Sequence, residues 1–109
     1  DFSRPDDVIL VASEFGRTSA ENGSRGTDHG HGNAMWLIGS RVQGGRWHGA
    51  WDGLASGNLH QGRDLPVRND YRAVVAQVLR ATQGVKPAAL DELFPGYTWD
   101  GSLDGMIKA

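Results

Sequence analysis

Apolar positions follow two different patterns along the chain. Val8-Ile9-Leu10-Val11-Ala12 is a continuous run, preceded by Asp6-Asp7 and followed by Ser13-Glu14-Phe15-Gly16-Arg17-Thr18. Five apolar residues bounded by charge and glycine predict a strand buried on both faces, as in a parallel sheet. Ala34–Ile38 predicts a second buried strand on the same grounds. Helical spacing governs Tyr71, Val74, Val75, Val78 and Leu79 instead. These predict one apolar face of an amphipathic helix, with Arg72, Gln77 and Arg80 on the wet face. Asn69 or Asp70 is placed to cap its start, and Gly84 its end. Pro87 opens a shorter helical turn that runs to Leu93.

The remaining segments are polar or mixed. Gly44-Gly45 between two short segments predicts a β-hairpin, with His48 as a surface imidazole beside Trp47. Asp64-Leu65-Pro66-Val67 predicts a short extended piece, because proline suits only an edge strand. His60 reads as a loop residue. The tail from Thr98 to Ala109 scatters Trp99, Leu103, Met106 and Ile107 among Gly and Asp, which predicts loose docking.

Composition narrows the classes. The 109 residues suit about one domain. Glycine supplies 16 of them, clustered between 16 and 62 without a repeat period, so that region is loop-rich rather than collagen-like or solenoidal. Net charge is −2 with both signs interspersed, which marks neither a nucleic-acid nor a membrane surface. No apolar run is long enough to span a bilayer. There are no cysteines, so disulfides are excluded and any metal must be held by nitrogen and oxygen. The start at Asp1, running quickly into an apolar strand, reads as the middle of a fold. The expectation is therefore a single partial domain over 1–109.

Candidate chemistry concentrates in Gly26-Thr27-Asp28-His29-Gly30-His31-Gly32-Asn33. One carboxylate and two imidazoles fall within four residues, and glycines beside them let the backbone turn so that side chains converge. Carboxylate with imidazole suits a divalent metal of the zinc, manganese or iron type. His29 and His31 are two apart, so on an extended segment they share a face. The same composition also describes a plain surface turn. Glu14 leaves the predicted first strand at the sheet edge where α/β folds place their chemistry. It is placed equally well to pair with Arg17 or to face water. Trp36, Trp47, Trp51 and Trp99 suit core packing and loop anchoring, or stacking on a sugar.

Six motifs occur together and in order: Ser13–Thr18, Gly26–His29, Gly44-Gly45-Arg46, Gly62-Arg63-Asp64-Leu65, Asp70–Val74 and Leu93-Phe94-Pro95-Gly96-Tyr97. In this order and at similar spacing they resemble the bacterial sulfatase-like family known as domain of unknown function 1501, over nearly the whole chain. That family is placed in the alkaline phosphatase and sulfatase superfamily. The resemblance implies an α/β fold: the C-terminal portion of an alkaline-phosphatase-like, doubly wound sheet with flanking helices and a hairpin. It implies metal at the C-terminal ends of parallel strands. Glu14-Phe15 stands where the superfamily has an Asp-His metal-binding pair, and His29 stands where a later metal-binding His would be. Asp28 belongs to the family's own pattern.

Three readings follow from the resemblance. In the first, the chain is the C-terminal segment of a metal-dependent hydrolase of phosphate or sulfate esters. Glu14, Asp28 and His29 are then ligands to zinc, manganese or calcium, His31 is an outer or alternate ligand, and Arg17 faces an anionic oxygen of the substrate. The substrate is a small anionic ester or a sulfated or phosphorylated glycan. The nucleophile lies in the missing N-terminal half, and exported relatives point to the periplasm. In the second, the site has decayed and a non-catalytic module binds a glycan or a protein; Phe15 in place of an imidazole supports this. In the third, the chain is a fragment without autonomous activity.

Overall fold

A computed structural model describes residues 4–108. Its strands are β1 (Ile9–Val11), β2 (Gly16–Arg17), β3 (His29–Gly30) and β4 (Trp36–Ile38); its helices are α1 (Tyr71–Gln83) and α2 (Pro87–Leu93). Single 3-10 turns lie at Ser56–Asn58 and Asp104–Met106. The strands form two small antiparallel sheets, β1 with β4 and β2 with β3. The chain is thus a small mixed α/β structure, as its apolar patterning predicts.

The two longer strands are not buried on both faces as expected. Ile9, Val11, Trp36 and Ile38 are all more than 40 % exposed, while Leu10 and Leu37 are half-buried. A parallel sheet buries both faces because helices cover each side. Here each strand pairs with one partner only, so alternate side chains stay in solvent.

Contacts divide the chain into two compact units. The first comprises the residues up to Leu10, Leu37–Gly49 and Asn69 onward. Its centre is α1. The Asp70 carboxylate accepts from the Arg72 backbone N–H at 2.9 Å and caps the helix. Gly84 ends it with φ 64°, the left-handed conformation that glycine adopts without a Cβ penalty. The inward stripe is rotated from the predicted one. Ala73, Ala76 and Gln77 are buried, and Tyr71 is 62 % exposed. Gln77, expected on the wet face, turns inward because its Nε2 donates to the Asp104 carbonyl at 3.2 Å. The two alanines leave room for side chains from the tail to approach the helix.

That tail is the core of the unit, against the expectation of loose docking. Leu103, Met106 and Ile107 cluster with Ala73, and Val8, Leu37, Val42, Val74, Val78, Ala81 and Tyr97 pack around them. An isolated antiparallel bridge joins Val42 to Ile107, and the Gln43 N–H donates to Met106 O at 2.8 Å. Arg41 binds the Lys108 carbonyl through Nε (3.0 Å) and Nη2 (2.8 Å), and the Asp6 carboxylate through Nη1 (2.6 Å). These bonds also displace the predicted hairpin. Among the described residues, 41–49 carry no strand pair across Gly44-Gly45, since Val42 is already paired with the tail. His48 is half-buried, its Nε2 2.8 Å from the Gln43 carbonyl. Pro87 does open α2, and Leu90 anchors it at 1 % exposure.

The second unit, Val11–Trp36 and Ala50–Arg68, is mostly backbone bonded to backbone. In the β2–β3 ladder Gly16 faces Gly30 and Arg17 faces His29. The extended piece after Asp64 runs alongside: Leu65 N–H donates to Arg17 O (3.0 Å), Gly32 N–H to Leu65 O (2.6 Å) and Ser19 N–H to Arg63 O (2.9 Å). Glycine is required at the crossing points. A Cβ on Gly16 would sit 2.3 Å from the His31 carbonyl carbon, and one on Gly32 2.3 Å from Pro66 O.

Candidate functional site

Every candidate side chain belongs to this second unit. Thr18 organises the loop that carries Asp28. It is 8 % exposed, its N–H donates to Asp28 O (3.0 Å), and its Oγ1 accepts from the Asp28 N–H (3.1 Å). Asp28 is therefore held at both backbone atoms. Its carboxylate is held as well, because Asn22 Nδ2 donates to Asp28 Oδ1 at 2.9 Å. The other amide atom, Asn22 Oδ1, accepts from Ser24 N–H (2.8 Å) and Gly26 N–H (3.1 Å), and so closes the loop on itself.

His29 lies opposite Arg17 in the ladder, and its ring stacks on Phe15 with centroids 3.9 Å apart and planes 13° apart. Arg17 also sits over the Phe15 ring, 4.9 Å from its centroid, and its Nη1 donates to Thr27 O at 2.7 Å. Phe15 is in turn fixed by Asn33, whose Nδ2 donates to the Phe15 carbonyl at 2.6 Å. The structure thus gathers Arg17, Asp28 and His29 around the β2–β3 pair. Glu14 is exposed in the bend just before Phe15.

His31 goes elsewhere. Its ring stacks on His60, centroids 3.9 Å apart and planes 16° apart. His60 belongs to the turn 60–64, where His60 and Asp64 exchange backbone hydrogen bonds. Asp64 is 5 % exposed. The Arg63 guanidinium, 2.6 Å away, holds the Asp64 carboxyl below the usual carboxylate range, against the opposing push of burial. The imidazoles of His60 and His31 lower it further. Among the described residues, no three His, Asp or Glu side chains stand close enough to form a ready three-donor metal site.

Sequence reasoning missed Thr18, Asn22, His60 and Asp64. The stretch from Thr18 to Asp28 gives no periodic signal, and a loop is what joins them. His60 and Asp64 flank Gly62, whose φ of 67° makes the turn between them; that glycine was the available sign.

The chain thus carries a carboxylate, an imidazole and a guanidinium at the glycine-dependent β2–β3 strand pair. It belongs to the family described as "Protein of unknown function (DUF1501)", whose family model matches residues 5–94. No curated protein and no solved structure matches the chain.

Proposed function

We propose that the chain is the C-terminal segment of a metal-dependent phosphatase- or sulfatase-like hydrolase, built on an alkaline-phosphatase-like sheet completed by an N-terminal half. The observation that carries this reading is the gathering of Arg17, Asp28 and His29 at the β2–β3 pair, with the Asp28 carboxylate and the His29 ring each held by a neighbour. Asp28 and His29 would offer the oxygen and nitrogen donors that zinc or manganese takes, and Glu14 would add an oxygen donor only if its bend moved in, since no three such side chains stand together among the described residues. When bound, such an ion polarises a phosphoryl or sulfuryl oxygen. Arg17 contributes a fixed positive charge to an anionic ester oxygen. Asn22 orients the Asp28 carboxylate, and Phe15 sets the plane of the His29 ring. The exported, periplasmic setting follows the family resemblance.

Calorimetric titration with Mn2+ tests the reading. Binding that His29→Ala and Asp28→Asn each abolish supports it. No binding at any pH above 7 overturns it. The competing reading, a decayed site on a module that binds glycan or protein, draws on Phe15 standing where an imidazole would complete the donor set. A tryptophan fluorescence change on adding sulfated glycans, with no dependence on metal, favours that reading instead.

A further inference from the structure

We propose that Asn22 and Gly23 form a self-modification site, at which the folded loop converts its own asparagine to aspartate or isoaspartate. The attacking nitrogen is unhindered. Gly23 is exposed, its N–H enters no hydrogen bond among the described residues, and a Cβ built on it would meet nothing within 4 Å. Glycine also leaves that nitrogen the backbone freedom to swing onto the neighbouring side chain. The carbon under attack is activated by its hydrogen bonds. Asn22 Oδ1 accepts from Ser24 N–H at 2.8 Å and from Gly26 N–H at 3.1 Å. Two such donors draw electron density from Cγ and stabilise the negative charge that develops on the oxygen as a nucleophile adds. The bond from Asn22 Nδ2 to Asp28 Oδ1, 2.9 Å, keeps the amide turned so that Oδ1 rather than Nδ2 meets those donors.

In the reaction, the Gly23 nitrogen gives its proton to a base in the solvent and bonds to Asn22 Cγ, closing a five-membered ring. The Cγ–Nδ2 bond breaks, and the leaving nitrogen takes a proton from water and departs as ammonia. Water then opens the succinimide at either carbonyl. One water is consumed, one ammonia is released, and nothing is oxidised or reduced. Either product ends the bond to the Asp28 carboxylate. The aspartate keeps an oxygen for Ser24 and Gly26 but faces Asp28 with like charge, and the isoaspartate adds a methylene to the loop backbone. Asn33 and Asn58 are followed by Ala34 and Leu59, whose side chains crowd the corresponding nitrogen, so they lack this combination.

The test incubates the whole chain in mildly alkaline buffer and maps its peptides by mass spectrometry, with isoaspartate scored by enzymatic methylation. Conversion should appear at Asn22 ahead of every other asparagine, with ammonia released. It should proceed in the folded chain at least as fast as in the same chain unfolded in guanidinium chloride. Gly23→Ala, which the open space around that residue tolerates, should slow it by about 10-fold or more, because a Cβ restricts the attacking nitrogen. Earlier conversion at another asparagine, slower conversion in the folded chain than in the unfolded one, or an unchanged rate in Gly23→Ala overturns the proposal. None of these readouts involves a metal, so the hydrolase reading stands or falls separately, on Mn2+ binding.

Discussion

Phe15 and His29 lie face to face, 3.9 Å between ring centroids, so Phe15 sets the plane of the imidazole. A ring pair of this kind contributes about 0.5–1.5 kcal/mol beyond its buried area. Phe15→Leu should therefore destabilise the second unit by about 1 kcal/mol and broaden the His29 ring resonances, whereas Phe15→Tyr should do neither. Urea unfolding and NMR line widths read the two effects.

Asn22 makes three side-chain hydrogen bonds within the loop 22–28. Asn22→Ala removes them all and leaves the partners to solvent, a loss of about 1–2 kcal/mol. Amide exchange at Ser24 and Gly26 should accelerate. Asn22→Asp should keep the two bonds accepted from backbone N–H groups and set a second carboxylate against Asp28.

The tail and the start of α1 exchange the importance that their sequences suggest. Ile107 is 5 % exposed and Tyr71 62 %. Ile107→Ala should cost ~2–5 kcal/mol, the usual range for emptying a core position. Tyr71→Ala should stay within about 0.5 kcal/mol of the parent. Equal losses in paired denaturation curves would refute the placement of the tail.

Acid should weaken the first unit through Asp70. Its carboxyl is lowered chiefly by the hydrogen bond from the Arg72 side chain, and also by the bond from the Arg72 backbone N–H. A depressed folded-state pKa stabilises the fold above the unfolded value of about 3.9, and that contribution disappears as pH falls through the lower folded value. Asp70→Ser keeps a capping oxygen and removes the charge. It should flatten the acid limb of stability below about pH 4 and lower stability at neutral pH by the contribution that the charge makes there.

Glycine crossings set the last expectation. Gly32→Ala places a methyl group 2.3 Å from the Pro66 carbonyl oxygen, which is backbone and cannot swing aside. The loss should reach about 1–3 kcal/mol or more, as overpacking does. Gly57→Ala, where nothing lies within 4 Å, should be tolerated. Thermal melts of the two variants provide the comparison.

Local signals were legible where one short stretch decided the outcome. The Asp70 cap, the Gly84 stop and the Pro87 start all appear as the spacing predicts. The rotation of α1 was not legible, because a buried Gln77 depends on the carbonyl of Asp104, 27 residues away. The hairpin failed for the same reason: Val42 could pair within its own segment or with Ile107, and only tertiary packing decides between them. Around the β2–β3 pair, the proximity of Asp28, His29 and Arg17 in the fold matches their prominence by residue type. The separation of His31 from His29 was not legible, since the stacking partner His60 sits in a turn with no chemical signature of its own.

The clasp between Arg41 and Lys108 spans 67 positions of sequence. During vectorial synthesis the inner side of α1 emerges from the ribosome well before Leu103, Met106 and Ile107 that will line it. The first unit therefore closes only once that tail has been made. In that interval the nascent helix is a substrate for chaperones, and a ribosome stalled short of Lys108 would present it uncovered.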